Sequence, residues 1–137
     1  MPDGGARRPS GQSKSTEVSR ALVKALHEVA GRGPTSARTT INGDLVVTVF
    51  TDTLSKADRT LVGLGRGEEV LRRRMLLQDA MGPLAIPAVE AVLGRRVTAF
   101  MSANNVDPDL AVEIFILAPD ADDSGGVPPD SQPPGAS

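Results

Sequence analysis

Residues 44–50, Asp44-Leu45-Val46-Val47-Thr48-Val49-Phe50, and residues 109–115, Asp109-Leu110-Ala111-Val112-Glu113-Ile114-Phe115, are two versions of one pattern. Each opens on aspartate, is rich in aliphatic residues and closes on phenylalanine, the composition of a strand with packed surroundings. In front of the first stands Asn42-Gly43, preceded by the alternating residues 36–41. An Asn-Gly pair between two such runs predicts a two-residue hairpin turn, because both central residues must take positive φ. In front of the second, residues 97–102 read as a partner strand across a polar loop at 103–109.

Each hairpin follows an apolar helix. Between residues 16 and 30, Val18, Leu22, Ala25, Leu26 and Val29 form one stripe at the helical period, with Ser15 or Thr16 placed to cap its start and Gly31 to end it. Residues 85–93 are apolar enough to be helical, and Gly94 follows them. Superposed, Gly31-Arg32 meets Gly94-Arg95, and Leu22, Ala25, Leu26 and Val29 meet Ala85, Ala88, Val89 and Val92. The overlay predicts an α+β fold in which two helix-strand-strand halves form a four-stranded antiparallel sheet with helices packed on one face. Coincidence between two common motifs is the rival explanation, and the fold class is the same under either. Between the halves, Ser55 and Asp58 read as a capping box for a short helix to Val62, and a glycine-interrupted turn leads to a second helix from Glu68 towards Met81. Gly82-Pro83 and Pro87 predict a bend beyond it, since proline removes a donor and clashes one turn back.

The 137 residues leave room for one domain. Residues 1–13 and 119–137 lack apolar periodicity and read as disordered tails, the second acidic and then Pro/Gly-rich, which leaves 14–118 as the folding unit. Fifteen basic against seventeen acidic side chains give a net charge of -2, so no nucleic-acid partner is expected. The absence of cysteine removes thiol nucleophiles and Cys-based metal sites, and a lone histidine, His27, leaves a triad or a standard zinc enzyme without parts. Neither cofactor nor catalysis is expected. No segment approaches the ~20 apolar residues of a membrane span, and no secretory run follows Arg7 and Arg8, so the expectation is a soluble, cytoplasmic protein without direct membrane insertion.

Several blocks resemble the MpsC-like family of small bacterial domains. They are Gly31-Arg32-Gly33-Pro34-Thr35, the run from Asp52-Thr53-Leu54-Ser55 to Asp58, Arg74-x-x-Leu77-Gln78, Glu90-x-x-Leu93-Gly94-Arg95-x-Val97, and Asp107-x-Asp109 with Val112-Glu113-x-Phe115. The resemblance covers essentially the whole folding unit. It departs at Leu77, where the family has a larger aromatic, and at the Pro/Ala-rich approach to Val89. The family is named for a Na+-translocating, membrane-potential-generating system and has no assigned reaction. The resemblance implies an accessory or regulatory role near such a system, or near bicarbonate or ion transport, with a membrane transport complex as partner.

Arg32, Arg38, Arg95 and Arg96 are the candidate ligand-binding residues, since guanidinium forks suit carboxylate and phosphate. The competing explanation is structural: Arg32 and Arg95 each follow a helix C-terminus, where positive charge is favourable. A small anion-sensing module is the alternative function they would serve. Arg74 falls within the apolar arc of its helix and is expected to form a structural ion pair, with Asp52, Asp58, Asp79 or Glu90 as acceptors. Gly63-x-Gly65-x-Gly67 lacks the spacing of a phosphate loop, and Asn105-x-Asp107-x-Asp109 lacks the glycine and closing glutamate of a calcium loop.

The strands are apolar on both sides. With Leu45, Val47, Val49, Leu110, Val112, Ile114 and Ile116 turned to the helices, alternation sends Val46, Phe50, Phe100, Phe115 and Leu117 to the other side, which is too apolar for water. These five residues are therefore the expected interface of a homodimer. The alternative is a three-layer monomer in which the inserted helices cover that side.

Overall fold

The computed structural model describes residues 10–34 and 36–119. In chain order it contains α1 (Ser10–Ala30), β1 (Ser36–Asn42), β2 (Leu45–Thr51), α2 (Lys56–Gly63), α3 (Gly67–Leu93), β3 (Val97–Val106) and β4 (Asp109–Leu117). The strands form one antiparallel sheet in the order β1-β2-β4-β3. Helix α1 packs over β1, and α3 packs over β3 and against α1. The architecture is the α+β sandwich expected, with the two halves meeting at the central pair β2 and β4.

The register of that pair carries the internal repeat. Thr48 stands opposite Glu113, Val46 opposite Phe115 and Phe50 opposite Ala111. The overlay equates Thr48 with Glu113, Val46 with Ala111 and Phe50 with Phe115, so exchanging the halves turns the pair Val46–Phe115 into the pair Ala111–Phe50. A two-fold axis through the Thr48/Glu113 pair therefore maps the register onto itself, as two adjacent copies of one unit would.

Local structure departs from the sequence reading at four places. The first turn is Gly43-Asp44, one residue later than expected, with Asn42 paired to Leu45 and Gly43 at φ 62°. Residues 103–106 extend β3 instead of forming a loop, so the second turn is Asp107-Pro108. Helix α1 begins at Ser10, ahead of the Ser15/Thr16 cap and inside the expected tail; the rest of that tail, and 120–137, lie outside the described residues. Helix α3 is one element of 27 residues that contains both Pro83 and Pro87. Both prolines are exposed, so the carbonyls they leave unbonded lie on the water-facing side of the helix.

The core lies between the helix layer and the sheet. Helix α1 contributes Val18, Leu22, Ala25 and Leu26, α3 contributes Met81, Ala85 and Val89, and the sheet contributes Val46, Phe50, Ala111, Phe115 and Leu117. Gly82 brings α3 close to β3: a Cβ there would lie 3.4 Å from Phe100 Cε2. The Phe100 and Phe115 rings meet with centroids 5.0 Å apart.

Candidate functional site

The helices cover the side of the sheet opposite to the one expected. Along β2 the buried residues are Val46, Thr48 and Phe50, and along β4 they are Ala111, Glu113, Phe115 and Leu117. Val46, Phe50, Phe115 and Leu117, expected at a dimer interface, are core residues at 0–2% exposure, and Phe100 is half-buried among them. Alternation alone is satisfied by either assignment because both faces are apolar. In the observed assignment the phenylalanines share the core with small helix residues, Ala25 and Ala85, and Phe100 lies against Gly82.

Thr48, Ser102 and Glu113 are polar residues on this largely apolar side of the sheet. They belong to a polar row across the sheet, buried at its centre. Ser19 Oγ bonds Thr39 Oγ1 at 2.7 Å, and Thr39 Oγ1 bonds Thr48 Oγ1 at 2.7 Å. On the other half, the Glu113 carboxylate accepts from Ser102 Oγ and, at 3.0 Å, from Gln78 Nε2, while Asn104 Nδ2 donates to Gln78 Oε1. Burial pushes the Glu113 carboxyl up to about 7 despite these donors and the nearby Arg74. Gln78 and Glu113 stand in the blocks that resemble the family, but the sequence assigned no site role to either of them or to Asn104. The available signal was a glutamate inside an apolar strand, matched by Arg74 and Gln78 four residues apart on the apolar arc of α3.

Arg74 is 2% exposed, and its Nε has no hydrogen-bond partner among the described residues. The expected ion pair with Asp52, Asp58, Asp79 or Glu90 is absent. Asp109 and Glu113 act on Arg74 only as nearby charges, while burial lowers its pKa. The four expected acceptors are engaged elsewhere or turned away. Asp58 closes the α2 capping box with Ser55 and pairs with Arg73, Asp52 lies 3.8 Å from Arg59, Glu90 accepts from the Val97 amide, and Asp79 is exposed.

The remaining arginines do not converge. Arg32 Nη1 donates to the Leu54 carbonyl at 2.7 Å, and Arg95 Nη2 donates to the Ala118 carbonyl at 2.7 Å and to Asp44 Oδ1 at 2.6 Å. Each follows a left-handed glycine at a helix end, Gly31 or Gly94, and bonds the chain just past the second strand of its own half. The two are thus symmetry mates with a fastening role, held at opposite ends of β2, roughly 20 Å apart. Arg38 lies on the uncovered side of β1, opposite Val49, and Arg96 is exposed beyond Gly94. Asp109 ties the halves together: its carboxylate accepts from the amides of Thr53 at 3.1 Å and Leu54 at 3.0 Å and from Thr53 Oγ1. The Asp52-Thr53-Leu54-Ser55 block therefore forms a junction between β2, β4 and α2.

The uncovered face is the most distinctive surface. Its rows across β1, β2, β4 and β3 are Asn42-Leu45-Ile116-Ala99, Thr40-Val47-Ile114-Met101, Arg38-Val49-Val112-Ala103 and Ser36-Thr51-Leu110-Asn105. The two central strands are aliphatic apart from Thr51, and Arg38 is the one charge. Leu45 is 40% exposed and Met101 50%, and no described segment crosses this side. Two hollows of about 430 Å³ each lie along α1 and β1, and each is lined by a single ionisable side chain, Arg38 in one and Arg20 in the other. Among the described residues no three His, Cys, Asp or Glu side chains gather as metal ligands.

Fold and surface together define a small α+β protein with a polar row, buried at its centre, under its helices and an apolar sheet face that no described segment covers. The family model for MpsC, described as a Na+-translocating membrane potential-generating system, matches residues 11–119, and the chain belongs to that family. Neither a curated protein nor a solved structure shows significant similarity to it.

Proposed function

We propose that this chain is a non-enzymatic accessory or regulatory protein, linked to a Na+-translocating or bicarbonate/ion transport system, that acts in the cytoplasm by self-association. The observation that carries the reading is the open face, where Leu45, Val47, Val49, Leu110, Val112, Ile114 and Ile116 are contiguous, Leu45 exposed and the others half-buried, with no described segment lying over them. An antiparallel sheet with one face in water alternates polar residues outward; this one does not, so a second apolar surface is needed to cover it. A second copy supplies an identical face, and two such sheets pack about 10 Å apart with their strands nearly aligned. The accessory role draws on the family, and among the described residues Arg32, Arg38, Arg95 and Arg96 do not converge on one site.

The test is light scattering coupled to size exclusion on the full chain at tens of micromolar. The expected result is a dimer for the wild type and a monomer with unchanged helical circular dichroism for Val112→Asp. A wild-type monomer overturns the reading.

A further inference from the structure

Helix α3 has a second uncovered surface, on the layer opposite the open sheet face. Its buried stripe is Val70, Arg74, Gln78, Met81, Ala85 and Val89. At 100° per residue the opposite side carries Leu76, Ala80, Pro83, Leu84, Pro87 and Ala91, all exposed, with Leu76 at 64% and Leu84 at 40%. A helix on the outside of a soluble domain normally turns charged residues to water along this line. Here the stripe runs uncharged for roughly 22 Å. Contrary to the expectation that no segment approaches the length of a membrane span, α3 is long and apolar enough to cross one by length and composition, yet it packs on the sheet with 28% of its most apolar stretch buried.

Charge marks the two ends of the stripe. Arg72 and Arg73 lie one turn before Leu76, Glu68 and Glu69 lie in the first turn of the helix with Glu69 paired to Arg66, and Arg96 lies beyond the Gly94 cap. Arg73 is held by Asp58, whereas Arg72 and Arg96 are exposed and form no ion pair among the described residues. Within the stretch from Met75 to Leu93 the charges are Asp79, which borders the stripe on the side of the groove against β3, and Glu90, which is tied to the Val97 amide. An apolar strip with a free guanidinium at each end matches the layering of a bilayer surface, with acyl chains below and phosphates at the level of the arginines.

We propose that α3 is a peripheral membrane-docking helix that lays Leu76, Ala80, Pro83, Leu84, Pro87 and Ala91 on an anionic lipid surface, with Arg72 and Arg96 at its phosphates. The surface is separate from the open sheet face, so both can be occupied at once, and this inference does not depend on self-association.

The experiment is flotation of the full chain with vesicles of phosphatidylcholine alone or with about 30% phosphatidylglycerol, a fraction chosen to be strongly anionic. The expected result is binding to the anionic vesicles, at least tenfold weaker binding to the neutral ones, and loss of binding in the Leu76→Asp/Leu84→Asp variant with unchanged circular dichroism. Arg72→Gln with Arg96→Gln narrows the difference between the two vesicle types, and Val112→Asp leaves binding intact. Absence of binding to both vesicle types overturns the inference, as does binding that survives the leucine replacements. A fall in oligomer mass caused by the leucine replacements also overturns it, by assigning the stripe to a second copy.

Discussion

Thr48 and Glu113 stand opposite each other at the centre of the sheet, both on the helix side and both at 0–1% exposure. They occupy the same place in the two halves, but one is a neutral hydroxyl and the other an ionisable carboxyl. The hydroxyl is satisfied by a chain of hydroxyls reaching Ser19, and the carboxyl draws Gln78 and Ser102 to it. The symmetry of the backbone is thus broken by one titratable group.

Glu113 makes stability depend on pH. Its folded carboxyl titrates near 7 against an ordinary 4.5, so between those values the folded state keeps a proton that the unfolded chain has released. Stability therefore falls as pH rises through that window, by on the order of 2–3 kcal/mol, and levels off above it. Glu113→Gln removes the dependence. Urea unfolding at pH 5 and pH 8 is expected to show the variant gaining relative to the wild type at the higher pH.

Arg74 lowers the Glu113 pKa by its charge while being buried without a hydrogen-bonded partner for its Nε. Arg74→Met removes that charge at similar volume. The expected outcome is stability near or above that of the wild type at pH 6, where Glu113 is largely protonated, with the Glu113 titration moved upward. NMR titration of the Glu113 carboxyl carbon checks the second effect.

Asp109 is expected to be worth more than its neighbour Asp107. Replacing Asp109 with alanine orphans the Thr53 and Leu54 amides beside buried side chains, a loss of roughly 2–3 kcal/mol, whereas Asp107→Ala at an exposed turn costs under about 0.5. Thermal unfolding of the two variants provides the comparison.

The two sheet faces separate by mutation. Phe50→Ala opens a cavity in the core and is expected to cost about 3–5 kcal/mol in urea unfolding. Val49→Ala, one residue away on the open face, is expected to leave monomer stability within about 1 kcal/mol and to weaken dimerisation, read as a rise in dissociation constant by analytical ultracentrifugation.

Gly94 ends α3 at φ 65°, a conformation that costs an alanine about 1 kcal/mol, while Gly63 has no positive φ and open space at its Cβ. Gly94→Ala is expected to lower the melting temperature, and Gly63→Ala to leave it unchanged or raise it.

Chain-local physics was enough for the order of elements, the α1 stripe, the capping box at Ser55 and Asp58, the glycine ends at Gly31 and Gly94, and the four-stranded antiparallel sheet. Each rests on periodicity or on backbone preferences that neighbours in sequence settle. The choice of face did not, because Val47 and Phe50 alternate equally well with either side inward. It depended on contacts made only in the packed state, such as those by which Ser19 and Gln78, far away in sequence, reach the polar row. The partners of Arg32, Arg74 and Asp109 were hidden for the same reason: a charge finds its counterpart through contacts that exist only once the halves are packed together.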